Sequence, residues 1–341
     1  MADACVVGVD LGGTNVRAQV FAADGQPATE AVFVPSRAQE GVEATLDALA
    51  EVIQLAIGSS GQQAQAVGLA IPGHVDNAVG FVRWSPNFGE EREGILYYWK
   101  DVDIRGPLQK RIGPMRVVMG NDANCAALGE YTYGSGEGKA NCLVMFTLGT
   151  GIGGGVVFGP ASLDGDVRGP TVMVGGNKGG AELGHMLIQM GGAVGNSGAY
   201  GPLETYCQAD AIAERATNML RRGVPSVLTD MCGGDFSLVR PKMIAEAARQ
   251  GDGVALQVWE EIGRYLGAGA GVAINAFAPD VVAFGGQVAK AWEFMAPWVV
   301  RQARDTAIPS LFSDAKIVQA EQLETAGILG AAALAQAALR S

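Results

Sequence analysis

One segment of this chain occurs twice, and the repeat limits the folds that the sequence can adopt. The copies are CVVGVDLGGTNVRAQVF at residues 5–21 and CLVMFTLGTGIGGGVVF at residues 142–158. A shift of 137 positions superposes them without a gap. The identical positions are Cys5/Cys142, Val7/Val144, Leu11/Leu148, Gly12/Gly149, Val20/Val157 and Phe21/Phe158. In each copy a glycine-containing turn joins two β-rich runs, which predicts two β-hairpins in the same sequence register.

The turns of these hairpins suit the binding of phosphate. Glycine lets backbone N–H groups approach phosphate oxygens, and we expect it to supply positive φ in these turns. The first turn adds Asp10, Thr14 and Asn15, and the second adds Thr147 and Thr150. A carboxylate suits a magnesium ion or its waters, whereas hydroxyls suit phosphate oxygens. Two such turns facing each other would bind a polyphosphate chain from both sides; the alternative is two glycine-rich hairpins without a ligand.

The remaining chain alternates between strand patterns and helix patterns, which predicts α/β layers. Helices are predicted at 40–57, 243–250, 253–277 and 320–340, buried strands at 66–73 and within 279–289, and a strand leading into a helix at 115–134. We predict one α/β domain from residues 1–122 plus the C-terminal helix at about 322–341. The second α/β domain is predicted to span residues 123–321.

Composition excludes several classes of protein. With 341 residues, 48% of them hydrophobic and 17% charged, the chain can form two packed cores. The net charge of −11 argues against binding to nucleic acid or to an anionic membrane. Five scattered cysteines without a Cys-x-x-Cys pair fit a reduced, cytoplasmic protein. We expect no signal peptide, because Asp3 and Asp10 interrupt the short apolar start. We expect no membrane span, because Asn275, Pro279 and Asp280 interrupt the longest apolar stretch.

A short polar sequence, NDAN at residues 121–124, lies where a predicted strand meets a predicted helix. Asp122 has two interpretations at this junction. It can be a plain helix N-cap, for which Asp and Asn are favoured. It can also be a general base, because a carboxylate at a strand end that opens into a cleft can accept a hydroxyl proton.

Six segments, taken in order, resemble the motifs of the ROK family of sugar kinases and repressors. They are GVDLGGTN (8–15), IPGHVD (71–76), SPNF (85–88), NDANCAALGE (121–130), TLGTGIGGG (147–155) and PDVVAFGGQVA (279–289). The resemblance covers nearly the whole chain. It implies an actin/hexokinase-like ATPase fold with two α/β domains that close over a sugar and ATP, with 71–76 and 85–88 as sugar-side loops.

The resemblance also implies a reaction and a set of site residues. The reaction is transfer of the γ-phosphoryl group of ATP to a hexose, most simply to the 6-hydroxyl of glucose, with Asp122 as the general base. The implied sugar ligands are Gly73, Asn87, Asn121, Asp122, Glu182, His185 and Glu204. The implied ATP-binding and phosphate-binding residues are Asp10, Gly12, Gly13, Thr14, Asn15, Thr147, Gly149, Thr150, Gly151, Gly285 and Gly286. Asp10 would support Mg²⁺ directly or through water.

The sequence departs from the family in one loop. Members typically follow Glu-x-Gly-His with three cysteines, which hold a structural zinc together with the histidine, and then Leu-Glu. Here Glu182, His185 and Glu204 are present, but the cysteine positions hold Gly195, Ser197 and Pro202. Zinc requires about four N or S ligands, so we predict that this chain lacks the structural zinc and that Pro202 helps to restrict the loop.

Several alternatives stay open at this level. His185 can be a buried structural histidine, and His74 is predicted to be a loop residue and not a ligand. Another sugar, such as fructose, mannose or N-acetylmannosamine, can be the substrate, and polyphosphate can replace ATP as the donor. A sugar-responsive repressor is disfavoured, because the first phosphate motif begins within the first ten residues with no basic extension before it. A homodimer is a family-based expectation.

Overall fold

The chain is described by a computed structural model that covers residues 5–165, 167 and 169–340, apart from the side chain of Asn87. Its first part contains the elements β1 (Cys5–Leu11), β2 (Asn15–Phe21), β3 (Val32–Pro35), α1 (Val42–Ser60), β4 (Ala64–Ile71), β5 (His74–Asp76), β6 (Phe81–Arg92), β7 (Ile95–Asp103), α2 (Arg105–Ile112) and β8 (Arg116–Asn121). Its second part contains α3 (Asp122–Tyr133), β9 (Cys142–Leu148), β10 (Ile152–Phe158), β11 (Thr171–Val172), α4 (Leu203–Cys207), α5 (Ala209–Arg221), α6 (Leu228–Met231), α7 (Pro241–Arg249), α8 (Gly253–Phe277), β12 (Val281–Gly285), α9 (Trp292–Thr306), α10 (Pro309–Asp314), β13 (Lys316–Gln319) and α11 (Ala326–Arg340).

Two five-stranded sheets share one plan. The first has the order β3-β2-β1-β4-β8, and the second has the order β11-β10-β9-β12-β13. In each sheet an antiparallel hairpin is followed by strands that run parallel to its first strand. Apolar residues fill both faces of β1 and β9, as expected for strands that helices cover. The predicted α/β class is confirmed.

The duplicated hairpins have the predicted bounds. Strands β1 and β9, and likewise β2 and β10, begin and end at positions related by the sequence shift. The strand pairing differs by one residue, because Leu11 lies opposite Val16 whereas Leu148 lies opposite Ile152. The first turn therefore places residues 12–15 between the paired positions, and the second turn places only residues 149–151 there.

The expectation of positive φ in the phosphate turns is wrong. None of the four glycines at these described turns, Gly12, Gly13, Gly149 and Gly151, has a positive φ. Open space distinguishes two of them, Gly13 and Gly149. A Cβ on Gly13 would have no neighbour within 4 Å, and one on Gly149 would lie 4.0 Å from its nearest neighbour, the carbonyl oxygen of Gly151. Glycine leaves the turn surface uncovered, so a ligand can reach the backbone.

Helix α11 packs on the first sheet through glycines. A Cβ on Gly68 would lie 1.8 Å from the carbonyl oxygen of Ala331, and one on Gly8 would lie 2.4 Å from that of Ile328. Helix α11 also contacts α3, where a Cβ on Gly330 would lie 1.7 Å from the carbonyl oxygen of Cys125. The sheet and the two helices therefore approach one another at backbone distance.

A buried carboxylate joins the two segments that connect the sheets. Glu130, in α3, is fully buried and accepts hydrogen bonds from the backbone N–H groups of Ser135, Glu321 and Gln322 at 2.9, 2.9 and 3.0 Å. Three N–H donors stabilise the buried carboxylate. Both crossings of the chain between the sheets are thus tied to the helix that begins at Asp122.

Other expectations are met in part. Helix α8 has the predicted bounds, and α1, β4, β8 and β12 lie where helix or strand was predicted. The closing helix begins at Ala326 and not at 320, because residues 321–322 form hydrogen bonds to Glu130. The proposed division into two domains at residues 122 and 123 stays a prediction. Among the described residues no helix is long and apolar enough to cross a membrane.

The SPNF segment was expected to be a loop, and that expectation is wrong. It belongs to β6, in a three-stranded sheet β5-β6-β7 that was not predicted. The pairing of β6 with β7 shifts between Ser85 and Gly89, which marks a bulge at the predicted segment. Asn87 lies in this bulge, but its side chain is outside the described part of the chain.

Candidate active site

Asp122 is the first residue of α3, directly after the end of β8. The side chain of Asn121 caps the helix by accepting a hydrogen bond from the N–H of Asn124 at 3.0 Å. The interpretation of Asp122 as the helix N-cap is therefore wrong. Its Oδ1 accepts hydrogen bonds from the N–H of Ala123 at 2.9 Å and from Nδ2 of Asn121 at 3.0 Å. Both of these bonds end on Oδ1, so Oδ2 is the oxygen that we expect to accept a proton.

The electrostatic environment of Asp122 suits proton transfer. Burial raises the pKa of its carboxyl group from 3.8 to about 6, against the lowering effect of the Ala123 N–H. The negative charges of Asp10 and Glu182 raise this pKa further. A carboxylate with a pKa just below neutral is ionised at pH 7 and still basic enough to accept a hydroxyl proton.

Asn121 connects this carboxylate to the predicted sugar-side turn. Its Nδ2 donates hydrogen bonds to the carbonyl oxygen of Gly73 and to Asp122, both at 3.0 Å. Gly73 has φ of 107°, and a Cβ there would lie 2.2 Å from the carbonyl oxygen of Trp84, so only glycine fits. Both amide protons of Asn121 are thus used within the protein, and its role as a sugar ligand stays a prediction.

The first phosphate turn has an ion pair at its base. Asp10 and Arg17 lie opposite each other on β1 and β2, and Nε and Nη2 of Arg17 donate to Oδ2 of Asp10 at 3.0 and 2.8 Å. Sequence reasoning missed Arg17, although its position across the turn from Asp10 is a usable signal. Both bonds end on Oδ2, so Oδ1 fits a metal ion or its waters. Gly13, Thr14 and Asn15 are exposed above the pair.

The second phosphate turn has no charge of its own and is closed by the bond from the N–H of Gly149 to the carbonyl oxygen of Gly151 at 2.9 Å. Thr147 packs so closely on Gly153 that a Cβ there would lie 2.5 Å from the Thr147 hydroxyl. The predicted adenosine-side glycines lie directly behind this turn. Gly285 pairs with Thr147, and a Cβ on Gly286 would lie 2.4 Å from the carbonyl oxygen of Leu148.

The glycines of β10 place helix α3, which begins at Asp122, and the predicted sugar-binding turn on opposite faces of one strand. A Cβ on Gly155 would lie 2.4 Å from Cβ of Ala127 in α3. On the other face, a Cβ on Gly154 would lie 2.3 Å from the carbonyl oxygen of Ala181, next to Glu182. These close approaches position Asp122 and Glu182 relative to each other.

The three polar residues predicted on the sugar side have different surroundings. Glu182 and His185 are exposed at a single 3-10 turn, Leu183–His185, so the interpretation of His185 as a buried structural histidine is wrong. Glu204, in the first turn of α4, accepts a hydrogen bond from the N–H of Ile152 at 2.8 Å. One oxygen of Glu204 is therefore fixed against the second phosphate turn.

Hydrogen bonds hold the loop in which Gly195, Ser197 and Pro202 occupy the expected cysteine positions. The N–H of Gly195 donates to the carbonyl oxygen of Ala199 at 2.8 Å, and the N–H of Ala193 donates to the hydroxyl of Tyr206 at 2.8 Å. The Tyr206 ring stacks on Tyr265 with centroids 4.6 Å apart. Across residues 5–340, where described, no three His, Cys, Asp or Glu residues gather into a metal-binding group.

His74 is a site residue that sequence reasoning missed. It was predicted to be a loop residue, but it begins β5, and its Nε2 lies 3.8 Å from Oε1 of Glu182. The first and second parts of the chain therefore meet at this pair.

Comparisons with known proteins agree with this geometry. The sequence model of the ROK family matches residues 6–338. The glucokinase of Thermotoga maritima is 34% identical over 332 residues, which cover 96% of each chain. Among solved structures, a ROK family glucokinase from Streptomyces griseus in complex with glucose and AMPPNP superposes with a TM-score of 0.79 at 28% identity, over 98% of this chain and 99% of that one. A ROK family transcriptional regulator, a homologue of the Escherichia coli MLC protein, superposes with a TM-score of 0.81 at 25% identity, over 98% of this chain and 78% of the regulator.

Proposed function

We infer that this chain, which belongs to the ROK family and has the actin/hexokinase-like ATPase fold, is a sugar kinase, and we propose that it phosphorylates glucose at the 6-hydroxyl with ATP. One observation carries the proposal. The pKa of Asp122 is about 6, the bonds from Ala123 and Asn121 both end on its Oδ1, and Asp10 of the first glycine turn lies close enough to raise that pKa.

In the proposed mechanism Asp122 accepts the proton of the attacking hydroxyl while the hydroxyl oxygen attacks the γ-phosphorus in line. The bond from the γ-phosphorus to the β,γ-bridging oxygen breaks, and ADP is the leaving group. Backbone N–H groups that form no hydrogen bond within the described turns, such as those of Gly13 and Thr150, stabilise the charge on the phosphoryl oxygens. Mg²⁺, bound with the nucleotide, would neutralise part of the phosphate charge. Asp10 would hold the ion or its waters through Oδ1, while Arg17 keeps the carboxylate in place.

The proposed sugar site lies between Gly73 and the 182–185 turn. Glu182, His185 and the second oxygen of Glu204 would accept or donate hydrogen bonds to sugar hydroxyls. Gly73 would let the sugar ring approach the backbone, and Asn87 would contribute from the bulge in β6. Asn121 would act mainly by holding Asp122 and Gly73 together.

The alternatives differ in substrate or in class. The named relatives favour glucose over fructose, mannose or N-acetylmannosamine, because both the sequence relative and the ligand-bound structure are glucokinases. The nucleotide analogue in that structure favours ATP over polyphosphate. Likeness to a transcriptional regulator keeps a sugar-responsive repressor as the second candidate. The raised pKa of Asp122 favours the kinase, because a sugar sensor does not need a base.

A coupled kinase assay with a panel of hexoses tests the proposal directly. With ATP and Mg²⁺ we expect the highest kcat/KM for glucose, and much lower values with polyphosphate as donor. Asp122→Asn serves as the blank, because it keeps the shape of the site but removes the base. A higher kcat/KM for another hexose would move the assignment to that sugar. No phosphorylation of any hexose would contradict the proposed function.

A further inference from the structure

We propose that His74 is a positioning residue that holds Glu182 in place for the sugar, across the boundary between the two parts of the chain. This inference rests on the proposed function, since Glu182 is a proposed sugar ligand. Nε2 of His74 lies 3.8 Å from Oε1 of Glu182, and the two side chains are 27% and 45% exposed. They lie at a surface that a sugar can reach.

The sheet β5-β6-β7 fixes the His74 ring. His74 pairs with Trp84 across β5 and β6, and the two rings meet edge to face with centroids 5.5 Å apart. His74 also follows Gly73 directly, whose carbonyl oxygen is held by Asn121. The ring is therefore anchored to the same turn that is anchored to the catalytic junction.

The segment that carries Glu182 rests on this ring. A Cβ on Gly179 would lie only 2.6 Å from Nε2 of His74, so the Gly179 backbone and the ring are in close contact. A favourable charge interaction also joins these two segments, between Asp76 of β5 and Lys178. A hydrogen bond from Arg83 lowers the pKa of Asp76 most, and the positive charge of Lys178 lowers that pKa further.

This contact has a consequence for sugar binding. An exposed glutamate samples many rotamers. A ligand that binds only one rotamer has a lower affinity, because fixing the side chain costs conformational entropy. His74 restricts Glu182 before the sugar arrives, so His74 lowers the KM for sugar. It has no contact with the phosphate turns, so KM for ATP and kcat should depend on it little.

Gly179→Ala tests the contact, with Gly176→Ala as its matched control. Both glycines lack a positive φ, so alanine is tolerated by the backbone at each position. A Cβ at Gly176 would have no neighbour within 4 Å, whereas a Cβ at Gly179 would push the His74 ring away from Glu182. We expect Gly179→Ala to raise the glucose KM about fivefold or more, with kcat and the ATP KM within about twofold of wild type. Gly176→Ala should leave all three unchanged.

Substitution of His74 completes the test. His74→Ala should raise the glucose KM by a similar factor, and the double variant His74→Ala with Gly179→Ala should be no worse than His74→Ala alone. His74→Gln, which keeps a donor, should recover part of the loss. The inference is overturned if Gly179→Ala behaves like Gly176→Ala, or if His74→Ala leaves the glucose KM at the wild-type value.

Thermal unfolding separates this inference from the proposed function. The steric conflict that Gly179→Ala creates should lower Tm, and the added His74→Ala should restore it, whether or not the protein phosphorylates glucose. A wild type that phosphorylates no hexose contradicts the proposed function. In that case equal Tm values for Gly179→Ala and Gly176→Ala would also remove the contact on which the positioning role rests.

Discussion

The two duplicated hairpins have the same strand bounds but contribute different chemistry to the site. At the aligned positions 10 and 147 the first has Asp10 and the second has Thr147, and at positions 17 and 154 they have Arg17 and Gly154. The first hairpin thus carries an ion pair, and the second carries none. Its second strand is nearly free of side chains at Gly153–Gly155, so α3 and residue 181 can lie against the backbone.

The two copies of the repeated motif therefore have different roles: the first hairpin supplies charge, and the second supplies a packing surface. The first hairpin presents the Asp10 carboxylate, which Arg17 holds in place and which suits a metal ion bound with the nucleotide. The second hairpin supplies the surface on which Asp122 and Glu182 are placed. Substitutions at aligned positions should therefore differ in effect: those in the first hairpin should change turnover, and those in the second should change stability.

The largest difference that we expect between the two hairpins is in turnover, at the aligned positions 10 and 147. Asp10→Asn removes the carboxylate charge and leaves Arg17 uncompensated, so kcat should fall on the order of 100-fold and the Mg²⁺ requirement should rise. Thr147→Val should lower kcat by less than about fivefold, because only one hydroxyl is lost. Steady-state kinetics across a Mg²⁺ titration measure both. Equal losses would mean that the two hairpins are functionally equivalent.

A second comparison concerns stability, at the aligned positions 155 and 18. A Cβ on Gly155 would lie 2.4 Å from Cβ of Ala127 and 2.9 Å from the carbonyl oxygen of Ala123. Gly155→Ala should therefore lower the free energy of unfolding by about 2–3 kcal/mol. Ala18→Gly, in the buried part of β2, should lower it by about 1 kcal/mol. Urea unfolding of both variants decides the order, and a larger loss from Ala18→Gly would refute the packing role of β10.

A third comparison depends on pH and concerns Asp122, whose helix α3 packs on β10. Its pKa is 3.8 in the unfolded chain and about 6 in the fold. Its contribution to stability is therefore fully present below pH 3.8 and is lost as pH rises through about 6. Asp122→Asn does not titrate, so it should be more stable than wild type by about 3 kcal/mol at pH 8, with little difference at pH 4. Urea unfolding at several pH values tests this sign, and a destabilised variant at pH 8 would contradict the assigned burial cost.

Much of this fold could be predicted because the relevant signals are local. The repeat gave both hairpins, and the apolar spacing of 253–277 gave α8. The junction at 121–124 gave the start of α3 and the catalytic candidate Asp122. Each of these features depends on residues within one segment.

The features that were missed depend on contacts distant in sequence. Asn121, and not Asp122, caps α3: its side-chain oxygen accepts the N–H of Asn124 while its amide nitrogen donates to the carbonyl oxygen of Gly73. The start of α11 was misplaced because Glu130 binds residues 321–322. His74 was assigned to a loop because its contacts, Trp84 and Glu182, are distant from it in the sequence. The alternation of apolar and polar residues in β6 could have indicated the strand that pairs with it.

Turnover of Asp122→Asn, measured beside its affinity for glucose, decides whether Asp122 is the general base. Removal of a general base lowers kcat by about two to four orders of magnitude. The amide keeps an oxygen for the Ala123 and Asn121 hydrogen bonds, so the site should retain its shape and its glucose affinity by calorimetry. We therefore expect kcat to fall while the affinity for glucose stays near the wild-type value. A folded variant with near wild-type kcat would show that Asp122 is not the base and that another group takes the hydroxyl proton.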